Sequence, residues 1–176
     1  MKKLVAAEPI KNPAARVLIL GAASGLGLGY TPKAPGTAGS LLGIPLGLYL
    51  LTIPTWMALL ILFALFVPSC WIAGRAGLHW GNRDSGRIVL DEVIGQAITL
   101  LGLRGLYLHA GGYIENFDWI FVALAFGAFR ILDIVKPFPA KSFDRQATGF
   151  GVMTDDVVAG LYGALIVRAL VKIHLS

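Results

Sequence analysis

The chain between Lys33 and Arg75 is largely hydrophobic and contains no charged residue over 41 consecutive positions. A helix needs about 20 apolar residues to cross a bilayer, so this stretch is long enough for two membrane spans. Pro54 lies near the middle of the stretch and predicts the turn between them. We therefore expect a helical hairpin formed by residues 40–53 and 56–74.

Three further apolar stretches extend this pattern. Residues 118–129 and 157–171 each predict a hydrophobic helix. Residues 93–108 contain Arg104 and several glycines, so this stretch predicts either a full span or a re-entrant segment. The pattern as a whole predicts an all-α, multi-pass membrane helical bundle with four or five hydrophobic helices, in a single domain over residues 1–176.

The amino-acid composition also favours a membrane environment. Hydrophobic residues make up 56% of the chain and charged residues 14%, against roughly 45–50% and about 25% in an ordinary soluble domain. Together with a mean hydropathy of +0.73, this composition excludes a disordered or acidic-tail protein.

The N-terminal segment has some features of a signal peptide, because Lys2 and Lys3 precede an apolar run at residues 17–20. Glu8 and the neighbouring prolines interrupt the charged and apolar order that a signal peptide needs. We therefore expect residues 1–24 to form an interfacial segment.

Basic residues exceed acidic residues by 15 to 10, which gives a formal net charge of +5. If five segments cross the membrane, then the residues before position 41, residues 75–92 and residues 130–156 lie on one side. These segments hold twelve of the fifteen basic residues, namely Lys2, Lys3, Lys11, Arg16, Lys33, Arg75, Arg83, Arg87, Arg130, Lys136, Lys141 and Arg145. Lys and Arg are in excess in cytoplasmic loops, so we expect all three segments to face the cytoplasm. The basic excess then requires no nucleic-acid partner.

Two acidic pairs, Asp91-Glu92 and Asp155-Asp156, lie where a polar loop is expected to become an apolar helix. The helix macrodipole explains a single acid at such a place, since it stabilises a negative charge by up to about 1 kcal/mol. Adjacent helical residues point about 100° apart, so one acid of each pair is directed towards the bundle. Clustered carboxylates repel one another unless a cation lies between them. The four acids therefore predict a Mg²⁺ site, because Mg²⁺ prefers oxygen ligands.

Hydroxyl and basic side chains near the first long apolar helix are candidates for phosphate binding. Lys33, Thr37 and Ser40 lie in a loop rich in proline and glycine that leads into this helix. Free backbone N–H groups at a helix start favour an anion. A turn followed by an ordinary helix cap is the alternative explanation of the same residues.

A second basic group precedes Pro137. Arg130, Asp133 and Lys136 are spaced three residues apart, which places them close to one face of a helix that the proline ends. A surface ion-pair ladder would have the same spacing, but the residues between these three are apolar. Arg145 follows in the loop that leads to the second acidic pair.

Five motifs occur in order along the chain. They are PGTAGS at 35–40, DEVIG at 91–95, FRILDIVKPFP at 129–139, DR at 144–145 and GVMTDDVVAG at 151–160. Taken together they closely resemble the phosphatidylglycerophosphatase A family. The resemblance extends from about Gly25 to Leu170, and the five motifs together are far more specific than any one of them.

The resemblance implies a bacterial inner-membrane, Mg²⁺-dependent lipid phosphatase with an all-helical fold and a site that faces the cytoplasm. Such an enzyme removes the terminal phosphate of phosphatidylglycerophosphate to give phosphatidylglycerol. The implied partners are this phospholipid and the bilayer. The resemblance is compatible with a monomer or a homo-oligomer.

Roles for individual residues follow from the same resemblance. Asp91, Asp133 and Asp156 would be catalytic. The metal would be held by Asp91, Glu92, Asp155 and Asp156, and the phosphate by Lys33, Thr37, Ser40, Arg130, Lys136 and Arg145. The nucleophile is either a metal-activated water or an aspartate.

Two other classes of protein are alternatives. A small membrane cation transporter or channel would place its carboxylates at mid-membrane depth, whereas the acids here are expected at helix ends on one side. A lipid-binding structural subunit would not require four acids beside four bases. Both alternatives therefore explain less of the charge pattern than a phosphatase does.

Overall fold

The computed structural model describes residues 6–114, 118–144 and 148–176. These residues form helices joined by turns, and no β-strand occurs among them. The α-helices are α1 (Pro13–Ala23), α2 (Pro35–Thr52), α3 (Thr55–His79), α4 (Leu90–Leu100), α5 (Arg104–His109), α6 (Trp119–Val135), α7 (Ala140–Asp144) and α8 (Gly149–His174). Short 3-10 helices lie at Leu28–Tyr30 and Leu101–Leu103. The prediction of an all-α fold is confirmed.

Helices α2 and α3 follow each other with only Ile53 and Pro54 between them, as the hydrophobic pattern predicts. Arg104 lies at the end of α2, where its Nη2 donates a hydrogen bond of 2.7 Å to the carbonyl of Ile53. Its Nη1 donates to the carbonyl of Leu50 at 3.4 Å. The last carbonyls of a helix have no partner within the helix. The charge that interrupts residues 93–108 therefore caps α2.

Helix α4 lies at the centre of the bundle and packs between α2 and α8. Every residue from Ile94 to Leu100 is buried. The face of α2 that contacts α4 is lined by Gly36, Gly39, Gly43 and Gly47. A Cβ atom at position 43 would lie only 2.6 Å from the carbonyl oxygen of Val93. The glycines therefore allow the two helix backbones to approach each other closely.

Two helices, α3 with 25 residues and α8 with 26, are long and apolar enough to cross a membrane. Only 22% of the most apolar window of α3 and 28% of that of α8 are buried. Large apolar side chains such as Phe63 and Trp71 point outwards, with 65% and 60% of their surface exposed. Helices of a soluble core would bury these side chains, whereas a lipid environment accommodates them.

The predicted count of four or five spans goes beyond what these helix lengths establish. Helix α4 has 11 residues, which corresponds to about 16 Å, well short of the roughly 30 Å of a bilayer core. It is followed by the 3-10 helix at Leu101–Leu103 and by the short α5. Residues 93–108 are therefore a broken and largely buried helical segment, and not one continuous span.

The polar segments meet at one end of the bundle. Helices α2, α4 and α8 begin there, while α3 and α6 end there. The N-terminal helix α1 packs against α3 at the same end, and the carbonyl of Ala23 accepts a hydrogen bond of 2.9 Å from the N–H of Val89. On the outer side of α1, Val17 and Leu18 are exposed. An interfacial position for α1 stays a prediction, and residues 1–5 lie outside the described residues.

The beginning of α8 differs from the prediction. The hydrophobic pattern predicts a helix from residue 157, directly after the second acidic pair, but α8 begins at Gly149. The Thr148 hydroxyl accepts a hydrogen bond of 3.0 Å from the N–H of Gly151 and caps the helix. Gly149 contacts the backbone of Cys70 in α3, where a side chain would overlap the carbonyl. The glycines that suggest a loop are thus close-packing positions within a helix.

Candidate active site

Three carboxylates from two helices form the centre of the site. Asp91 and Glu92 lie in the first turn of α4, and Asp156 lies in the second turn of α8. Each of the three offers a carboxylate oxygen, and these oxygens lie within 4.8 Å of one another. The two acidic pairs that are 64 positions apart in the sequence thus meet in space.

Helices α4 and α8 meet because each carries a glycine four residues after its central acid. A Cβ atom on Gly160 would lie 2.5 Å from the carbonyl oxygen of Gly95, and one on Gly95 would lie 2.7 Å from that of Asp156. Beside this contact, the Thr99 hydroxyl is 3.2 Å from the Gly160 carbonyl and 3.1 Å from that of Gly95. The helix crossing therefore sets the separation of the carboxylates.

The electrostatics of the cluster favour a bound cation. Burial raises the pKa of Asp91 well above its usual range, and the neighbouring charge of Glu92 raises it further. Burial also raises the pKa of Glu92, to about 7, and the charges of Asp156 and Asp133 add to this effect. The Oε2 atom of Glu92 is buried and has no hydrogen-bond partner among the described residues. An all-oxygen set with an unused buried acceptor fits Mg²⁺.

Arg130 lies beside the carboxylates and has two polar partners. Its Nη1 is 2.7 Å from Oδ2 of Asp133, one turn later in α6, and 3.3 Å from the hydroxyl oxygen of Ser40. Ser40 is fully buried and donates its own hydrogen bond to the Gly36 carbonyl at 2.8 Å. The predicted neighbours Arg130 and Asp133 thus share one face of the helix.

Gly36 is the point at which the arginine and the carboxylates meet. A Cβ atom at this position would lie 3.1 Å from Nη1 of Arg130 and would overlap Oε1 of Glu92. On the other side of the site, the ring of Phe129 is fully buried and packs against Gly95, where a Cβ would lie 2.5 Å from its Cε2. This packing holds α6 against the centre of α4.

Lys136 is not on the helix face that its spacing predicts. It follows the last residue of α6 in a left-handed conformation, with φ of 48°. Its Nζ is 2.5 Å from Oδ2 of Asp155. The prediction of a continuous charged stripe was therefore wrong for Lys136, because the chain leaves the helix before Pro137 and turns the lysine towards α8. Asp155 is paired with a lysine, whereas Asp156 joins the central carboxylates.

The remaining predicted phosphate-binding residues have different positions. The prediction of a loop at Thr37 and Ser40 was wrong, because α2 begins at Pro35. Thr37 is half-buried in the first turn of α2, and its N–H donates to the carbonyl of Ala34 at 3.0 Å. Lys33 is exposed in the loop before α2. Arg145 lies outside the described residues. The structure thus places Arg130 and Ser40 directly beside the acids, with Thr37 three residues before Ser40.

Two features near the acids have no place in the sequence prediction. Gln96 lies one turn after Glu92, is fully buried, and has neither side-chain polar atom paired among the described residues. Arg87 lies against the rings of Tyr30 and Trp80. The sequence contains a signal for Gln96, which is an amide within an apolar helix. It contains none for Arg87, because only folding brings the rings of Tyr30 and Trp80 together.

Comparison with known proteins identifies the family of this chain. The family model of phosphatidylglycerophosphatase A matches residues 21–171. The chain belongs to this family. It is 36% identical to phosphatidylglycerophosphatase A of Haemophilus influenzae over 165 residues, which cover 90% of this chain and 94% of the relative. It is 39% identical to the Escherichia coli protein of the same name over 145 residues, 81% of this chain and 77% of the relative.

A third relative has a different name. A Bacteroides thetaiotaomicron protein, provisionally named a phosphatidylinositol-3-phosphatase, is 37% identical over 166 residues, which cover 90% of this chain and 95% of the relative. No solved structure matches the chain. The names of all three relatives refer to phosphatases that act on a phosphorylated lipid headgroup.

Proposed function

We propose that this protein is a Mg²⁺-dependent lipid phosphatase that hydrolyses the terminal phosphate of phosphatidylglycerophosphate. Water and the phosphomonoester are converted into phosphatidylglycerol and inorganic phosphate. The observation that carries the proposal is the group formed by Asp91, Glu92 and Asp156, with Arg130 beside it at Gly36. Anionic ligands for a cation and a guanidinium for an anion are both needed to bind a phosphate through a metal.

Asp91, Glu92 and Asp156 would hold the Mg²⁺. Their oxygens are close enough to share one ion, and Oε2 of Glu92 is available as a buried acceptor. When bound, the metal neutralises charge on the phosphoryl oxygens and lowers the pKa of bound water. Asp155 remains a candidate fourth ligand, next in sequence to Asp156 and held by Lys136.

Arg130 would orient the phosphate. Asp133 and Ser40 fix its guanidinium on one side, which leaves other N–H groups of the planar fork free to turn towards an anion. A fixed donor stabilises the charge that develops on the equatorial oxygens without reorganising during the reaction. Asp133 thus acts on the phosphate through Arg130.

The location that best fits these features is the bacterial cytoplasmic membrane, with the site at its cytoplasmic face. The basic segments and the acids meet at one end of the bundle, as the positive-inside rule requires of a multi-pass protein in this orientation. A lipid headgroup could reach this end while its acyl chains stay in the leaflet. The cation-transporter alternative has no support, because the clustered acids of the described chain lie together at that one end.

The proposal is tested with purified protein in neutral detergent, by measuring release of inorganic phosphate from phosphatidylglycerophosphate with and without Mg²⁺. We expect activity only with Mg²⁺, and a loss of at least about 100-fold in Asp91→Asn and Asp156→Asn, typical of lost electrostatic stabilisation. Arg130→Lys keeps the charge but loses the fork, and we expect a loss of about tenfold or more.

A matched control is Glu8→Gln. It also removes a carboxylate, but Glu8 is exposed and forms a long surface ion pair with Arg75, at 3.9 Å. Its activity should stay close to that of the wild type. Binding of Mg²⁺ by calorimetry supplies a second readout, in which the two aspartate variants should bind the ion at least tenfold more weakly. Full activity in EDTA, or in either aspartate variant, would refute the metal assignment.

A further inference from the structure

A polar pocket of about 520 Å³ lies at the start of α2. Its walls come from the loop before α2 and from the segment between α3 and α4, and Pro35 is one of its lining residues. The next residue, Gly36, contacts Glu92 and Arg130. The pocket and the acidic cluster therefore both adjoin the start of α2.

The guanidinium of Arg87 lies over two aromatic rings at this pocket. Its guanidinium carbon is 5.7 Å from the ring centroid of Tyr30 and 5.7 Å from that of Trp80. The two rings meet edge to face with centroids 6.1 Å apart. Guanidinium groups on aromatic faces are attracted by the ring quadrupole, so the rings limit where the charge can go.

No ion pair within 4.0 Å joins Arg87 to a carboxylate of the described residues. Its side chain borders the pocket and is exposed. Ser85, which is buried, and Asn82 also line the pocket. A fixed cation with neutral hydrogen-bonding groups around it has the chemistry of a binding site for a monovalent anion that carries hydroxyl groups.

We propose that Arg87 binds the inner phosphodiester of the lipid substrate and so selects lipids that carry two phosphate groups. The proposal rests on the proposed function, in which the terminal phosphate binds beside Arg130. Phosphatidylglycerophosphate has a second phosphate, joined to the first through a glycerol. Arg87 precedes Asp91 by four residues, which limits their Cα atoms to about 14 Å, and the long arginine side chain covers part of that span.

This assignment explains why the guanidinium of Arg87 lies over the rings of Tyr30 and Trp80, which we call the aromatic clamp. Arg presents paired N–H groups that match the two free oxygens of a phosphodiester, and an aromatic clamp lowers the rotamer entropy that the side chain loses on binding. A Lys would offer a single point charge without stacking. A site that only anchors the protein to anionic lipid would use the same residue types. Lipid bound at such an anchor would not compete with the substrate.

The experiment compares Arg87→Gln with wild type in micelles of neutral detergent that contain no other anionic lipid. Arg83→Gln is the matched control, because it removes the same charge from the same segment without lining the pocket. The readouts are KM for phosphatidylglycerophosphate, competitive inhibition by phosphatidylglycerol, which has only the phosphodiester, and inhibition by inorganic phosphate.

In Arg87→Gln, we expect KM and the inhibition constant of phosphatidylglycerol to rise about tenfold each, as loss of a charged hydrogen bond implies. Inhibition by inorganic phosphate should change less than about twofold, because that probe reports on the site of the terminal phosphate, which does not include Arg87. Tyr30→Leu should have a weaker effect in the same direction, since it leaves the charge but loosens the clamp. Arg83→Gln should resemble the wild type.

Unchanged inhibition by phosphatidylglycerol in Arg87→Gln, or equal weakening of both inhibitors, would overturn the assignment. Non-competitive inhibition by phosphatidylglycerol would also overturn it and would favour a remote lipid anchor. If the wild type released no phosphate from phosphatidylglycerophosphate, the proposed function would fail separately. Calorimetric binding of phosphatidylglycerol to wild type and Arg87→Gln would then decide the role of Arg87 alone.

Discussion

Gly95 of α4 and Gly160 of α8 lie in direct backbone contact, one helical turn from the carboxylates of Asp91 and Asp156. A Cβ atom on Gly160 would lie 2.5 Å from the Gly95 carbonyl oxygen. Each motif thus combines an acid with a glycine four residues later, and residues four apart lie on the same face of a helix. The contact between the glycines determines how closely the acids approach each other.

The first prediction concerns this contact. Gly160→Ala should separate α4 from α8, because backbone atoms cannot move aside as a flexible side chain can. We expect a loss of about 1–3 kcal/mol in stability, typical of overpacking, and at least tenfold weaker Mg²⁺ binding. Thermal unfolding in detergent and calorimetry measure the two effects.

Gly127→Ala in α6 is the control, since nothing lies within 4 Å of a Cβ atom built at that position. Alanine there should stabilise the helix by about 0.5–1 kcal/mol and leave Mg²⁺ binding unchanged. Wild-type Mg²⁺ affinity in Gly160→Ala would show that the helix crossing does not set the site.

The second prediction concerns the pH dependence of metal binding. The pKa of Glu92 is raised to about 7 from 4.5, so the metal-free protein holds a proton there more tightly when folded than when unfolded. Its contribution to stability is therefore complete below pH 4.5 and is lost as the pH rises through about 7. Mg²⁺ requires the deprotonated carboxylate, so its affinity rises over the same upper range.

We expect Mg²⁺ to bind roughly tenfold more weakly at pH 6 than at pH 8, because one proton competes with the ion over that range. Mg²⁺ should accordingly raise the melting temperature more at pH 8 than at pH 6. In Glu92→Gln, which has no carboxyl group to titrate, the difference between the two pH values should shrink. Equal affinity at both pH values in the wild type would contradict the prediction.

The third prediction concerns Gln96. Its amide is fully buried without a partner among the described residues, and such a group costs about 1–3 kcal/mol. Gln96→Met removes both polar atoms at similar volume. We expect a rise of about 2–4 °C in melting temperature for each kcal/mol recovered. Gln96→Glu, which buries a further charge beside Glu92, should lower it, and a lower melting temperature in Gln96→Met would show that the amide is satisfied in solution.

Several parts of the structure could be predicted from local patterns alone. The apolar run and Pro54 predict α2 and α3, and the spacing of Arg130 and Asp133 predicts their pairing, because residues three apart on a helix are neighbours. The acidic pairs could be assigned to a common end of the bundle, since the order of apolar segments alternates the sides. That they share one cluster follows only from the crossing of α4 and α8.

Other features depend on contacts between distant segments. The start of α8 at Gly149 depends on α3, because Gly149 fits against the carbonyl of Cys70. Lys136 pairs with Asp155 only because the chain turns at the end of α6. Neither position could be assigned from hydropathy, because a hydropathy pattern predicts a loop wherever glycines or a lysine interrupt an apolar segment.

The amino-acid sequence by itself determined the helical class, the apolar segments and the acids and bases of the site, because these depend on composition and on spacing along one helix. The tertiary structure decided which acids meet, which bases face them, and that Arg87 lies over the ring of Tyr30. These relationships join residues far apart in the chain. They depend on how closely glycine-lined helices can pack, and that distance is a property of the folded backbone.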